Sequence, residues 1–220
     1  MTLKDFYHFD TQGYMTQFYA PCTSIDKKPV GINWEWELLY GRYDNFDMPV
    51  IFQQKPSYGG NKFTDFLNTG YANLYPISDK VLDILIENNI TGWKTYPIEV
   101  FDKKGNEVPG YHGFSIIGRC KDLDISLLKE RGSVQYYKSG PIMEYYKGFP
   151  LDLSTWDGSD IFLLSGTGWN FITKRVYSLF KKHKITNITY EKVTDHLITD
   201  FKTEKNYINK SFKNSKYYNW

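Results

Sequence analysis

Two segments of the chain repeat one pattern of hydrophobic and polar residues. The first runs from Ser78 to Trp93, and the second begins 95 residues later and runs from Thr173 to Ile188. Each segment opens with a hydroxyl residue, which is favoured at a helix N-cap, and then places apolar residues three and four apart, as on one face of a helix. These apolar residues are Val81, Ile84 and Leu85 in the first segment and Val176, Leu179 and Phe180 in the second.

Both segments continue through a turn residue, Gly92 or Asn187, into a strand-like run. The pattern therefore predicts a helix, a tight turn and a strand in each segment. Two explanations of the match stay open: a true duplication, and chance similarity between two amphipathic helices.

The segment from Ile32 to Tyr40 alternates apolar and polar residues, with Trp34 and Trp36 on one side and Glu35 and Glu37 on the other. Such alternation predicts a strand with one solvent-exposed face, and a helix is the alternative for so short a run.

Further short strands are predicted by alternating or continuous apolar runs, and a helical turn is predicted within residues 121–132. The predicted strands are residues 49–54, 93–101, 111–120, 134–137, 142–147, 160–164 and 186–193, and residues 6–9 and 14–19 are predicted to be short strands or irregular cover. Gly105 suits the hairpin turn that joins the strands at 93–101 and 111–120, which we expect to be antiparallel.

These elements predict an α+β fold with a mixed, mainly antiparallel sheet and at least two amphipathic helices. We expect a single domain over residues 1–200, with two lobes, 1–72 and 73–200, as an alternative. Residues 201–220 form a polar tail rich in Lys, Asn and Tyr, which we expect to be a loosely packed helix or partly disordered.

Composition narrows the functional classes. The chain has 220 residues and a net charge of +2, which is too small to indicate a phosphate-binding surface. Aromatic residues are frequent, at 18%, and aromatic residues favour both sheets and protein interfaces. The two cysteines, Cys22 and Cys120, the lack of a secretory signal and the lack of a membrane-length apolar run favour a cytoplasmic protein.

Few residues form a recognisable catalytic or ligand-binding pattern. The sequence Ser165-Gly-Thr-Gly is expected to be a structural turn, because it lacks the complete pattern of a nucleotide-binding loop. No histidine has a metal-ligand partner at the usual spacing, and no nucleophile motif is present. Glu35 and Glu37 could act as paired carboxylates or belong to an acidic and aromatic docking surface.

Several stretches together resemble a bacterial immunity-protein family of polymorphic toxin systems, formerly a domain of unknown function. The resemblance covers residues 73–193 and is carried by Pro76-Ile-Ser-Asp-Lys-Val, Ile90-Thr-Gly-Trp, Tyr96-Pro-Ile-Glu-Val, the aromatic strand through Cys120, Thr173-Lys-Arg-Val and Ile185-Thr-Asn-Ile. It implies a cytosolic inhibitor that binds a cognate toxin domain, with no catalytic residues to assign.

We therefore predict a non-enzymatic protein-binding protein with no cofactor and no metal. Its predicted partner is a toxin domain, not a membrane or nucleic acid, and its oligomeric state stays open. The residues predicted to contact the partner are Trp34, Glu35, Trp36, Glu37, Tyr111 and His112.

Two alternatives remain. One is a hydrolase-like enzyme that uses Glu35, Glu37, His112 and Arg119. The other is a module that binds a small ligand or nucleic acid through the lysines and tyrosines of the tail.

Overall fold

The computed structural model of the chain describes residues 1–11, 16–21, 34–44, 48–55, 59–71, 74–128, 131–135 and 138–199. Within these ranges the α-helices are α1 (Trp34–Leu39), α2 (Asp79–Glu87) and α3 (Lys174–Lys182). The strands are β1 (Phe6–Asp10), β2 (Val50–Gln53), β3 (Ile77–Ser78), β4 (Trp93–Tyr96), β5 (Ile98–Phe101), β6 (Tyr111–Ile116), β7 (Gly118–Cys120), β8 (Arg131–Val134), β9 (Met143–Lys147), β10 (Ile161–Leu164), β11 (Asn170–Thr173), β12 (Thr189–Lys192) and β13 (Leu197–Thr199). The predicted tail, residues 201–220, and residues 14–15 of the predicted strand at 14–19 lie outside the described residues, and residues 16–19 make isolated bridges, Gln17 with Lys62 and Tyr19 with Asn68, instead of a strand.

The strands form four sheets, with the orders β12-β1-β11-β10-β7, β13-β9-β8, β2-β5 and β3-β6-β4. The pairs β2–β5 and β7–β10 are parallel, and the other strand pairs are antiparallel. The predicted α+β class with mixed, mainly antiparallel sheets is confirmed.

The two repeated segments adopt the same architecture. α2 connects β3 to β4, and β6 pairs antiparallel with both of these strands. α3 connects β11 to β12, and β1 pairs antiparallel with both of them. Each helix is thus the crossover of a split β-α-β arrangement, in which one further strand lies between two parallel strands.

We call residues 65–71 and 74–116 the first unit, and residues 160–192 together with β1 the second unit. The third strand of the first unit, β6, follows its helix, whereas that of the second unit, β1, precedes the rest of that unit. The strand pairings therefore cross the predicted lobe boundary at residues 72 and 73.

An aspartate at the start of each unit links it to the other. Asp65 Oδ1 accepts a hydrogen bond from the Ser78 hydroxyl (3.1 Å), and Asp65 Oδ2 accepts from the Thr186 amide and hydroxyl, both at 2.8 Å. Lys80 Nζ lies 3.3 Å from the same oxygen. Asp65 therefore joins the N-terminus of α2 to the turn after α3.

Asp160 makes the equivalent bonds at the start of the second unit. Its Oδ1 accepts from the Thr173 hydroxyl (3.1 Å), and its Oδ2 accepts from the Thr91 amide (3.2 Å) and from Arg175 (3.1 Å). Asp160 therefore joins the N-terminus of α3 to the turn after α2, just as Asp65 joins the N-terminus of α2 to the turn after α3. The two helices consequently run antiparallel.

Both α2 and α3 are followed by a residue in the left-handed conformation. Asn89 and Lys184 have φ angles of 49° and 52°. The next amides, of Ile90 and Ile185, bond back to the carbonyls of Leu85 and Phe180, which is the Schellman arrangement. Ser78 and Thr173 both occupy the predicted N-cap positions. Ser78 accepts from the Val81 amide at 3.4 Å, whereas the Thr173 hydroxyl makes no capping bond and donates to Asp160 instead.

Three hydrophobic clusters hold these elements together. A shared cluster contains residues of both units and α1, namely Tyr7, Phe9, Leu39, Tyr40, Phe66, Tyr75, Ile77, Val81, Ile84, Leu85, Ile90, Phe114, Ile116, Ile161, Leu163, Ile172, Val176 and Phe180. The outer cluster of the second unit contains Phe6, Cys120, Phe149, Leu151, Phe162, Leu164, Phe171, Val193 and Ile198. The outer cluster of the first unit contains Phe18, Ala20, Leu38, Val50, Phe52, Leu67, Leu74, Tyr96 and Val100.

The strand predicted at Ile32–Tyr40 is wrong and the alternative, a helix, is confirmed, because residues 34–39 form α1. Residues 32–33 of that run lie outside the described residues. The alternating apolar residues are also spaced by four, so Trp34 and Leu38 share one face of a helix while Trp36 and Tyr40 share another. The adjacent residues Leu38 and Leu39 are both buried, in different clusters. A helix allows this because each of its faces meets a different part of the core.

Two long predicted strands are each divided. The run at 93–101 breaks at Pro97 into β4 and β5, which pair with different partners, β6 and β2. The run at 111–120 breaks at Ile117 into β6 and β7. The predicted antiparallel pairing of the two runs holds for β4 with β6, and the predicted turn is present with Gly105 at φ 83°.

Candidate interaction surface

The structure separates the residues that were predicted to contact a partner. Trp34 packs against the outer cluster of the first unit, with its ring 5.0 Å from that of Tyr71. Glu37 lies 3.2 Å from Arg42, and burial raises the pKa of Glu35. Because residues two apart point to nearly opposite sides of a helix, Glu35 and Glu37 do not form the expected pair on one face.

Tyr111 and His112 lie on opposite faces of β6, since successive strand residues alternate. The Tyr111 hydroxyl donates to the Thr64 carbonyl (2.9 Å), and burial raises the pKa of Tyr111 to about 12. His112 Nε2 lies 2.7 Å from Asp79 Oδ1, at the start of α2. Tyr111 is thus a structural neighbour of the Trp34 region, whereas His112 belongs to the α2 side.

A different group of residues meets where α1 ends. The Tyr40 ring contacts two guanidinium groups, at 4.2 Å from Arg119 and 5.4 Å from Arg42. The Tyr40 hydroxyl accepts from the Gly166 amide (3.1 Å) and donates to the Thr167 carbonyl (3.3 Å). Sequence reasoning missed this group because its members are far apart in the chain.

The same contacts explain the turn Ser165-Gly-Thr-Gly. Its Gly166 amide is bonded to Tyr40, and the Thr167 hydroxyl donates to Leu164 O at 2.8 Å. β11 lies between this turn and α3. The turn therefore attaches the second unit to α1, as expected for a structural turn.

Arg119 is held rigidly beside Tyr40. Its guanidinium donates to the carbonyls of Ile116 (2.6 Å) and Gly118 (2.7 Å). Burial lowers the pKa of Arg119 to about 10, so the side chain is still cationic at neutral pH. The backbone amide of Arg119 donates to Asp157 Oδ2 at 2.7 Å.

Between the two carbonyls that bind Arg119, the chain bulges at Ile117. The amides of Ile117 and Gly118 both donate to the Gly92 carbonyl, at 2.8 and 3.0 Å. This interruption separates β6 from β7 and turns the Ile117 side chain outward, where 43% of its surface is exposed. An exposed isoleucine is thus fixed by a local backbone arrangement.

The lack of a side chain at Gly41 allows Lys94 and Ile117 to pack against the backbone there. A Cβ atom at Gly41 would lie 2.3 Å from Lys94 Cε and 3.0 Å from Ile117 Cγ2, so the absent side chain permits close packing. Lys94 Nζ in turn lies 4.5 Å from the centre of the Tyr43 ring. The Trp36 ring centre lies 5.8 Å from that of Tyr40. We call the set Trp36, Arg42, Tyr43, Lys94, Ile117 and Arg119 the junction surface.

The alternative catalytic set does not converge. Arg119 binds the carbonyl of Ile116 at one end of β6, and His112 lies four residues away along that strand, roughly 13 Å at strand spacing. Over the described ranges, no three His, Cys, Asp or Glu side chains are grouped so that they could bind a metal ion.

The longest helices of the described residues have nine residues, which is far too short to cross a bilayer. No known protein-family model matches the chain, and no curated protein matches it. The resemblance to immunity proteins stays a prediction from sequence.

Proposed function

We propose that the protein is a non-enzymatic inhibitor that binds a cognate bacterial toxin domain in the cytoplasm through the junction surface. The observation that carries this proposal is the exposed Ile117, which lies against Gly41, close to the Tyr40 ring that Arg42 and Arg119 contact. Tryptophan, tyrosine and arginine are enriched among the residues that dominate binding energy, and such residues cluster near the desolvated centre of an interface. The sequence resemblance supports the nature of the partner.

The proposal predicts that a gene beside that of this chain encodes a protein with a toxin-like C-terminal domain, and the test uses that domain. The purified domain is titrated with the full chain by calorimetry, and its toxicity is scored with and without co-expression. We expect tight binding and rescue of growth. If the domain neither binds the chain nor loses its toxicity, the proposal is wrong.

Ile117→Glu tests the assigned surface. Introducing a carboxylate at the centre of an interface should weaken binding by roughly 30-fold or more, the effect of a hot-spot residue. Ile142→Glu is the matched control, because Ile142 is also exposed, at 71%, and lies outside the junction surface. Equal affinities of the two variants for the toxin domain would show that the junction surface is not part of the interface. The proposed inhibitor function would still stand.

A further inference from the structure

The two units differ in charge where their architecture is the same. The exposed charged residues of α2 are Asp79, Lys80, Asp83 and Glu87, and those of α3 are Lys174, Arg175, Lys181 and Lys182. α2 is thus mainly acidic, and α3 carries positive charges alone. Because α2 satisfies the same packing requirements with carboxylates, the fold does not require lysines on α3.

The first turn of α3 also departs from the usual helix pattern. Cations near a helix N-terminus oppose the helix dipole, and acidic residues are normally favoured there. Arg175 is compensated by Asp160, at 3.1 Å. Lys174 has Asp5 nearby, a carboxylate whose pKa is lowered by its hydrogen bond to Thr2 and by the charge of Lys174.

Aromatic rings lie next to these lysines. Tyr177 of α3 stacks on Tyr7 with ring centres 4.0 Å apart, and its edge contacts Tyr190 at 5.1 Å. Lys181 Nζ lies 5.6 Å from the Tyr190 ring and 6.0 Å from the Tyr177 ring. The face therefore combines positive charge with partly exposed aromatic surface, a composition suited to a charged macromolecular partner.

We infer that the exposed face of α3 attracts and contacts an acidic region of the partner protein. This inference rests on the proposed function and adds the charge of the partner's surface to it. Four positive charges without a negative charge on one helix give a local field, which raises association rates more than final affinity.

The test measures association of the same toxin domain by stopped flow. The double variant Lys181→Gln with Lys182→Gln removes two positive charges from α3. Asp83→Asn with Glu87→Gln removes two negative charges from α2, where Glu87 occupies the position equivalent to Lys182. We expect the α3 variant to associate about 10-fold more slowly at low ionic strength, and the α2 variant to associate at the wild-type rate or faster.

At about 1 M salt the difference should vanish, because charges are then screened over about 3 Å. Equal slowing by both variants, or an α3 effect that persists at high salt, would overturn the inference. Unaltered association of the α3 variant would overturn it while leaving the inhibitor function standing, whereas failure of the wild-type chain to bind would overturn both.

A single-stranded RNA oligonucleotide is the second probe. We expect no binding by the wild-type chain at physiological ionic strength. Binding that weakens steeply with salt and disappears in the α3 variant would assign this face to nucleic acid instead of an acidic protein.

Discussion

His8 lies in an aromatic environment on the outer side of the second unit. Its ring centre is 4.8 Å from that of Trp169 and 6.5 Å from that of His196, and its Nδ1 donates to the Asn170 carbonyl at 2.8 Å. Burial lowers the pKa of His8 below its ordinary value, and the charge of His196 acts in the same direction. The Asn170 bond, Asp10 and Glu191 oppose that shift.

This shift predicts acid sensitivity. In the unfolded chain His8 takes up a proton near pH 6.5, whereas in the folded protein it does so only at lower pH. The free energy of unfolding should therefore fall as the pH drops below 6.5, by up to about 1 kcal/mol per pH unit from this group. Urea unfolding of the wild type and of His8→Phe between pH 7.5 and 5.5 measures it.

The comparison of slopes isolates His8, because the other titrating groups are common to both proteins. A shallower loss of stability toward acid is expected for His8→Phe. Parallel curves for the two proteins would show that His8 titrates alike in the folded and unfolded chains.

Single side chains also show what the sequence could not predict. Tyr40 was assigned to an apolar face, and it is indeed buried, but its contacts with Arg42 and Arg119 depend on how α1 crosses the end of β6. Arg119 was named only as a member of a catalytic alternative. Contacts across so many residues follow from tertiary packing, which local patterns do not encode.

At the scale of elements, α2 and α3 were predictable because cap, periodicity and stop signal agree within each segment. α1 was not predictable in this way, because an alternating run of apolar residues also satisfies a four-residue spacing. The helix is formed because it buries the adjacent residues Leu38 and Leu39 in two different clusters. The break at Pro97 follows from the missing amide of proline. The break at Ile117 has no comparable local signal, because it depends on the carbonyl of Gly92.

The turns after the two helices give a testable contrast. Gly92 and Asn187 occupy equivalent positions, with φ angles of 90° and 60°. A Cβ atom at Gly92 would lie 1.9 Å from the Ile161 carbonyl oxygen. The Asn187 side chain instead fits and donates to the Phe66 carbonyl at 2.7 Å.

Exchanging these residues should therefore have unequal effects. Gly92→Asn should lower the free energy of unfolding by about 3 kcal/mol, because the backbone of β10 must move to make room for the side chain. Asn187→Gly loses one hydrogen bond and should lower it by about 1 kcal/mol. Denaturant titration of both variants provides the measurement, and equal losses would contradict the assigned difference in space.

At the scale of the whole molecule, β1 is the strand on which the second unit depends. It hydrogen-bonds to β11 on one side and β12 on the other. Its residues enter two clusters, Phe6 on the outer side and Tyr7 and Phe9 in the shared cluster. No other described strand occupies the position between β11 and β12.

Removing residues 1–10 should consequently abolish cooperative unfolding. The deletion removes three buried aromatic side chains, and each loss costs about 3 kcal/mol or more. Together these losses match or exceed the stability of a typical domain. Deleting only Met1 and Thr2, which are exposed, should have little effect. Thermal unfolding followed by circular dichroism distinguishes the two chains. A cooperative transition in the shorter chain would show that β11 and β12 can close without β1.

The order of β1 relative to its partner strands, which both come much later in the chain, has a consequence for biosynthesis. The strands of the first unit are complete once residue 116 has been made, so that unit can assemble while translation continues. β1 has to wait for β12, which ends at Lys192, and at roughly 5–20 residues per second this delay is on the order of ten seconds. During that time a nascent segment with three large aromatic side chains stays unpaired, which makes it a natural contact for ribosome-associated chaperones.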